Sequence, residues 1–98
     1  MEGKVPVEID EALGNPEIPN LYSNSFSCAL GQGDTIVLFK NGSTPVATLN
    51  LSYTTAKTLA IKLQGLISHL ESVSGNKIMT TDDIGLLFIK DNGKKKDA

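Results

Sequence analysis

The sequence has few of the residues that mark a catalytic or metal-binding protein. Its 98 residues include one cysteine, one histidine and no tryptophan, and only 5% are aromatic. A metal site needs three or four converging ligands, yet neither His69 nor Cys28 lies beside a second Cys or His in the chain. We therefore expect no catalytic residue, no cofactor and no metal, with His69 at the border of a core and Cys28 as a small buried hydrophobe.

Other absences bear on the setting of the protein. A single cysteine cannot form an internal disulfide, and no hydrophobic run approaches the ~20 residues of a membrane span or opens the chain as a signal peptide. These features predict a soluble, cytoplasmic protein with no membrane partner. The net charge of −2 gives no general attraction for nucleic acid. The three lysines 94–96 are typical of a solvated chain end.

Alternating apolar residues predict an antiparallel sheet. Residues 4–10 alternate, with Val5, Val7 and Ile9 on one side, and Pro6 restricts this strand to an edge. Residues 11–20 read as a loop. Strands follow over 22–30, 35–39 and 45–51, joined by a turn at 31–34 and by the hairpin signal Asn41-Gly42, whose residues both tolerate positive φ.

A helix pattern covers residues 52–73, with Ser52 as a plausible N-cap and Gly75-Asn76 after its end. Its apolar stripe consists of Leu59, Leu63, Ile67 and Leu70, flanked by Ala56, Ala60 and Leu66. We expect this stripe to pack on the sheet face that carries Phe26, Leu30 and one side of residues 36–39. Thr81 can cap a short C-terminal helix, with a strand over 86–89 as the alternative.

The sequence therefore predicts one α+β domain. A sheet of three to four antiparallel strands carries one long helix on one face, with a possible short C-terminal helix. The folded core spans residues 5–75, a C-terminal extension spans 76–90, and the tail 91–98 is disordered.

Three polar features have structural explanations. Gly31-Gln32-Gly33 lacks the third glycine and the helix of a dinucleotide fingerprint and reads as a hairpin turn. Asp82-Asp83 fits the first turn of a helix better than a cation site. Asn24 shares the inward face of its strand with Tyr22 and Phe26, so its amide needs partners. Those partners are either the backbone of loop 11–20 or a polar contact at a subunit interface.

Several of these residues resemble a family of small bacterial and archaeal proteins classed as a domain of unknown function. The matching elements are Val7-Glu8-Ile9-Asp10-Glu11, Tyr22-Ser23-Asn24, a strand ending in Phe39, and Ser52 followed by Ala56-Lys57, Leu59 and Leu63. The likeness spans residues 5–72. The family's proline after the capping residue is Tyr53 here, and Gly31 to Asp34 replace its His-Ser-Pro turn. Because the family has no established activity, the resemblance implies only the fold and the cytoplasmic setting.

The far side of the long helix gives the main functional indication. A monomer's outward helix face should be charged, but this back face carries only small or uncharged residues: Thr54, Thr58, Ile61, Gly65, Ser68 and Ser72. Gly65 costs a helix about 1 kcal/mol relative to Ala, and close approach of another element is one reason to tolerate it. Together with the edge 5–9, this surface predicts a non-catalytic, self-associating interaction module that forms a homodimer.

The alternative is a nucleic-acid-associated accessory protein. It requires the helix lysines 57 and 62 and the C-terminal lysines 90 and 94–96 to converge on one face. An enzyme ranks third, because no His, Cys and carboxylate constellation is apparent.

Overall fold

A three-stranded antiparallel sheet followed by a long helix forms the middle of the chain in the computed structural model. The structure describes the backbone of residues 5–97 and the side chains of residues 5–89. The elements, in chain order, are α1 (Val7–Leu13), β1 (Ser25–Leu30), β2 (Asp34–Asn41), β3 (Thr44–Ser52), α2 (Tyr53–Ser74) and α3 (Thr81–Asp97). The predicted α+β arrangement is confirmed.

The sheet is a meander in the order β1-β2-β3. Its first turn closes with the Gly31 N–H donating to the Asp34 carbonyl over 2.7 Å. At the second turn Gly42 has φ +65°, and no other residue in the described chain apart from Gly75 has a positive φ. The hairpin at Asn41-Gly42 is therefore confirmed, but Asn41 ends β2 in an extended conformation rather than sharing a positive φ with Gly42.

The long helix begins directly where β3 ends. Ser52 is the last residue of β3, and its Oγ accepts from the Thr55 N–H over 3.1 Å, which confirms the predicted N-cap. At the other end Gly75 has φ +75° and donates its N–H to the Glu71 carbonyl. No loop separates strand from helix, and the main contacts of α2 within the described chain are with β3 and β2.

The N-terminal segment is a helix, so the prediction of an edge strand at Val5–Ile9 is wrong. The Pro6 carbonyl accepts from the N–H groups of Ile9 and Asp10, and α1 starts at Val7. A proline before the first helical turn is favourable because no donor is needed there. Glu8 and Asp10 place negative charge at the positive end of the helix dipole. The short alternation of residues 5–9 fits both structures, and these local effects select the helix.

The C-terminal helix is longer than expected, and its cap lies one residue earlier. Thr80, not Thr81, caps α3: its Oγ1 accepts from the Asp83 N–H over 3.0 Å, and an Asp83 carboxylate oxygen accepts from the Thr80 N–H over 3.2 Å. This reciprocal pair satisfies two free donors. The backbone of α3 then continues through Asp97, whereas the sequence predicts disorder from residue 91. Lysines near a helix C-terminus favour such an extension.

The predicted packing of α2 on the sheet does not occur within the chain. Leu63, at the centre of the apolar stripe, is 51% exposed, and no residue among 5–89 is buried. The radius of gyration is 17.4 Å, against about 13 Å for a compact chain of this length. Each element is formed as its local sequence requires, but one chain does not bring the apolar surfaces together.

Candidate functional site

The sheet presents one continuous apolar face. The register pairs Phe26 with Phe39 and Cys28 with Val37, and these pair onward with Ala47 and Leu49. Directly paired residues point to the same side of a sheet. We call this surface the apolar sheet face. Its members are Phe26, Cys28, Leu30, Thr35, Val37, Phe39, Ala47, Leu49 and Leu51.

The apolar sheet face is largely open to solvent. Phe26 is 58% exposed and Leu30 is 81% exposed, although Val37 and Phe39 on the central strand are half-buried. None of its members carries a charge. Cys28 lies on this face and is exposed, so the prediction of a buried cysteine is wrong for the single chain. An uncharged patch of this kind is typical of a surface that another element covers.

A shallow cavity of about 290 Å³ lies at one end of this face. Its lining residues are Pro19, Leu21, Ser23, Phe39, Val46, Ala47, Thr48 and Leu49. The only polar side chains are two hydroxyls, and that of Ser23 shares its one hydrogen between the backbone carbonyls of Ser25 and Lys40, each 2.8 Å from Oγ. The lining carries no ionisable side chain and suits an apolar side chain.

The second large apolar surface is the stripe of α2. Leu59, Leu63, Ile67 and Leu70 lie on one side of the helix, as the sequence predicts, and all four are exposed. With the flanking Leu66 they make an aliphatic ridge along most of the helix. This ridge and the apolar sheet face are the two surfaces that the sequence pairs with each other.

The opposite side of α2 is also uncovered. Its residues Thr54, Thr58, Ile61, Gly65, Ser68 and Ser72 are all exposed, with Ile61 at 61%. A Cβ added at Gly65 would meet nothing within 4 Å. None of the described residues therefore approaches the glycine closely. The Thr58 hydroxyl donates to the Thr54 carbonyl, a bond within the helix that leaves the back face smooth.

Asn24 has a structural partner that differs from the expected one. Its side-chain oxygen accepts from the Gly42 N–H over 2.7 Å, and the Ser25 hydroxyl donates to the Gly42 carbonyl over 2.8 Å. The start of β1 thus holds the turn between β2 and β3, not the loop at residues 11–20. Asn24 is exposed, so its bond with Gly42 is a clamp on the turn at the surface.

The N-terminal candidates Val5, Val7 and Ile9 lie at the start of α1 instead of in a strand, and all three are exposed. They offer apolar side chains but no strand edge. The open strand edges in the described chain belong to β1 and β3.

The described residues contain no group of three or more His, Cys, Asp or Glu side chains that could hold a metal ion. His69 is exposed on α2. None of the helices within the described part of the chain is both long enough and apolar enough to span a bilayer.

The lysines of α2 do not form a single basic face. Lys57 and Lys62 are five positions apart, which places them about 140° apart around the helix. Lys90 and Lys94 to Lys96 lie on α3, and their side chains are outside the described part of the structure.

Comparison of the chain with protein-family models, curated proteins and solved structures finds no match. The resemblance to a family of unknown function stays a prediction.

Proposed function

We propose that this chain is a non-catalytic interaction module of the cytoplasm that associates with a second copy of itself through α2. The observation that carries the proposal is the amount of surface that one chain leaves open. Its accessible surface is 8561 Å², whereas a folded monomer of 10.4 kDa should expose about 5,400 Å².

The excess is about 3,000 Å², and many large apolar side chains are exposed. They include those of the aliphatic stripe of α2, with Leu63 at its centre, and of the apolar sheet face. Obligate homodimers bury roughly 2,000–5,000 Å² in total, shared between two copies. The open surface of this chain is therefore large enough for a dimer interface of the obligate kind.

The lack of a buried core in the single chain also supports self-association. A folded domain is held by burial of apolar side chains against the loss of chain entropy, and no residue among 5–89 is buried. The hydrogen bonds of a three-stranded meander do not replace such a core. A second copy supplies the missing contacts without any further component.

Size-exclusion chromatography with light scattering tests the proposal. We expect a dimer mass at about 10 µM protein for this class of interface. A protein that remains a folded monomer at high micromolar concentration would overturn it.

Charge substitutions on α2 identify the contact. Leu63→Glu buries a charge in the stripe and should give a monomer or an unfolded chain. The double variant Ile61→Glu, Gly65→Glu tests the back face in the same way. Gln64→Glu adds a charge on the exposed flank of the same helix turn and should leave the dimer intact.

A further inference from the structure

We infer that α2 of each copy packs its apolar stripe across the apolar sheet face of the partner copy, so that the two chains exchange helices. This inference rests on the proposed self-association and assigns its geometry. The occupant of the apolar sheet face is a second copy of this chain.

The junction between β3 and α2 favours helix exchange. A helix that packs back on the preceding sheet usually follows a connection of about 2–6 residues. Here β3 ends at Ser52 and α2 begins at Tyr53. The Ser52 cap fixes the first turn, and the Tyr53 hydroxyl donates to the Gly31 carbonyl over 2.8 Å. The helix start is thus held at the end of the sheet, and the stripe residues from Leu59 to Leu70 stay exposed in the single chain.

The two open surfaces also complement each other. The stripe and the apolar sheet face both lack charge. Each is an exposed apolar surface that the other could cover. In length they also match: 22 residues of α2 span about 33 Å, and the nine residues of β3 span about 30 Å. A two-fold axis repeats this interface, so both stripes and both apolar sheet faces of the dimer are covered.

The cavity beside the sheet also favours an incoming helix. The cavity of about 290 Å³ is lined by Leu21, Phe39 and Leu49, and the last two belong to the apolar sheet face. An aliphatic side chain from an incoming helix would fill it. Within the described chain no helix residue lines it.

A competing geometry pairs the β1 edges of two copies. In an antiparallel ladder, every second residue of β1 forms backbone hydrogen bonds with β2. Gly31 donates its N–H to the Asp34 carbonyl, so Ser27 and Ala29, at even spacing from Gly31, also form bonds with β2. Phe26, Cys28 and Leu30 then keep their backbone groups at the open edge. This arrangement would extend the sheet but would leave the stripe of α2 exposed. We therefore favour helix exchange, and the experiment below separates the two.

The native Cys28 is a probe for this contact because it lies on the apolar sheet face and is exposed in the single chain. A second cysteine is placed in turn at Leu59, Leu63, Ile67 or Leu70 on the stripe. Matched controls place it at Thr58, Ile61, Ser68 or Ser72 on the back face. Each variant is oxidised with a mild catalyst at a concentration where light scattering shows the wild-type dimer, and is run on a non-reducing gel.

Helix exchange predicts a covalent dimer with at least one stripe cysteine and with none on the back face. The cross-link must disappear when Cys28 is changed to Ala in the same variant. Cross-linking of the wild type through Cys28 alone would favour pairing of β1 edges and overturn the inference. A cross-link that survives Cys28→Ala indicates helix-to-helix contact and overturns it as well, as does cross-linking from the back face alone or from no position in a protein that remains a dimer.

A measurement on the unmodified protein guards against variants that fail to fold. Helix exchange covers Cys28, so its alkylation by N-ethylmaleimide should slow at least tenfold as the protein concentration rises through the dimer range. A rate that stays the same in a protein shown to be dimeric overturns the exchange but leaves self-association standing. A monomer mass at every concentration overturns the proposed function itself.

Discussion

At the scale of single residues, Gly42 and Asn24 together fix the turn between β2 and β3. Gly42 has φ +65°, a conformation that costs other residues roughly 1–2 kcal/mol. Its N–H donates to the Asn24 side chain and its carbonyl accepts from Ser25. The turn is therefore held both by its own backbone and by the start of β1.

Gly42→Ala should destabilise the protein by about 1 kcal/mol because the added methyl group strains the positive φ. Gly33→Ala is the matched control. A Cβ at either position meets nothing within 4 Å, but only Gly42 has a positive φ. Urea unfolding of both variants at one protein concentration compares them, and equal midpoints would contradict the backbone explanation.

Removal of the Asn24 side chain tests the clamp. Asn24→Ala leaves the Gly42 N–H without its partner and should cost about 0.5–1.5 kcal/mol, whereas Asn24→Asp keeps an acceptor and should cost less. Thermal unfolding measures the difference. If Ala and Asp have equal effects, the bond from Gly42 to Asn24 does not stabilise the turn.

Residue-scale features were the most predictable from sequence. Asn41-Gly42 marks a turn because glycine tolerates positive φ, so two neighbouring residues suffice for the prediction. The partner of Asn24 was not predictable in the same way. Its amide bonds a residue 18 positions away, so the contact depends on the register of β1 with β2.

At the scale of elements, the junction of β3 and α2 is the feature on which the architecture depends. Ser52 serves both as the last residue of the strand and as the N-cap of the helix. Its Oγ accepts from the Thr55 N–H and donates to the Thr55 hydroxyl over 2.8 Å. The direction of α2 is thereby set within one turn.

Ser52→Ala should lower the stability of α2 by about 1 kcal/mol because the Thr55 N–H loses its acceptor. Ser52→Asp restores an acceptor and adds a favourable charge at the helix N-terminus, so it should match or exceed the wild type. Circular dichroism at 222 nm during thermal unfolding measures both. Equal thermal midpoints for the wild type and both Ser52 variants would show that the cap does not stabilise α2.

The two terminal helices show where element prediction fails. Residues 5–9 contain an alternation too short to distinguish a strand from a helix turn, and Pro6 is compatible with a strand edge as well as with a helix start. At the other end, Thr80 and Thr81 are both able to cap. The bond from the Asp83 N–H to the Thr80 hydroxyl selects Thr80 as the cap. The residue types alone do not distinguish the two threonines.

At the scale of the whole molecule, the amphipathic pattern of α2 predicts that its stripe is covered but does not say which chain covers it. The sequence placed Leu59, Leu63, Ile67 and Leu70 against the sheet of the same chain. In the structure all four side chains are exposed, and α2 follows β3 without a loop. The complementary surfaces are those expected from sequence, and the proposed helix exchange assigns them to two different chains.

A chain whose apolar surfaces meet only across a dimer should have a stability that depends on protein concentration. Unfolding is then coupled to dissociation, so the thermal midpoint should rise by several degrees when the concentration increases from 2 to 200 µM. Leu63→Ala, which should cost about 2–5 kcal/mol per buried side chain, should lower the midpoint at every concentration. Ser68→Ala on the back face is its control and should have little effect. A midpoint that does not move over this hundredfold range would mean that one chain is stable alone, with Leu59 to Leu70 exposed.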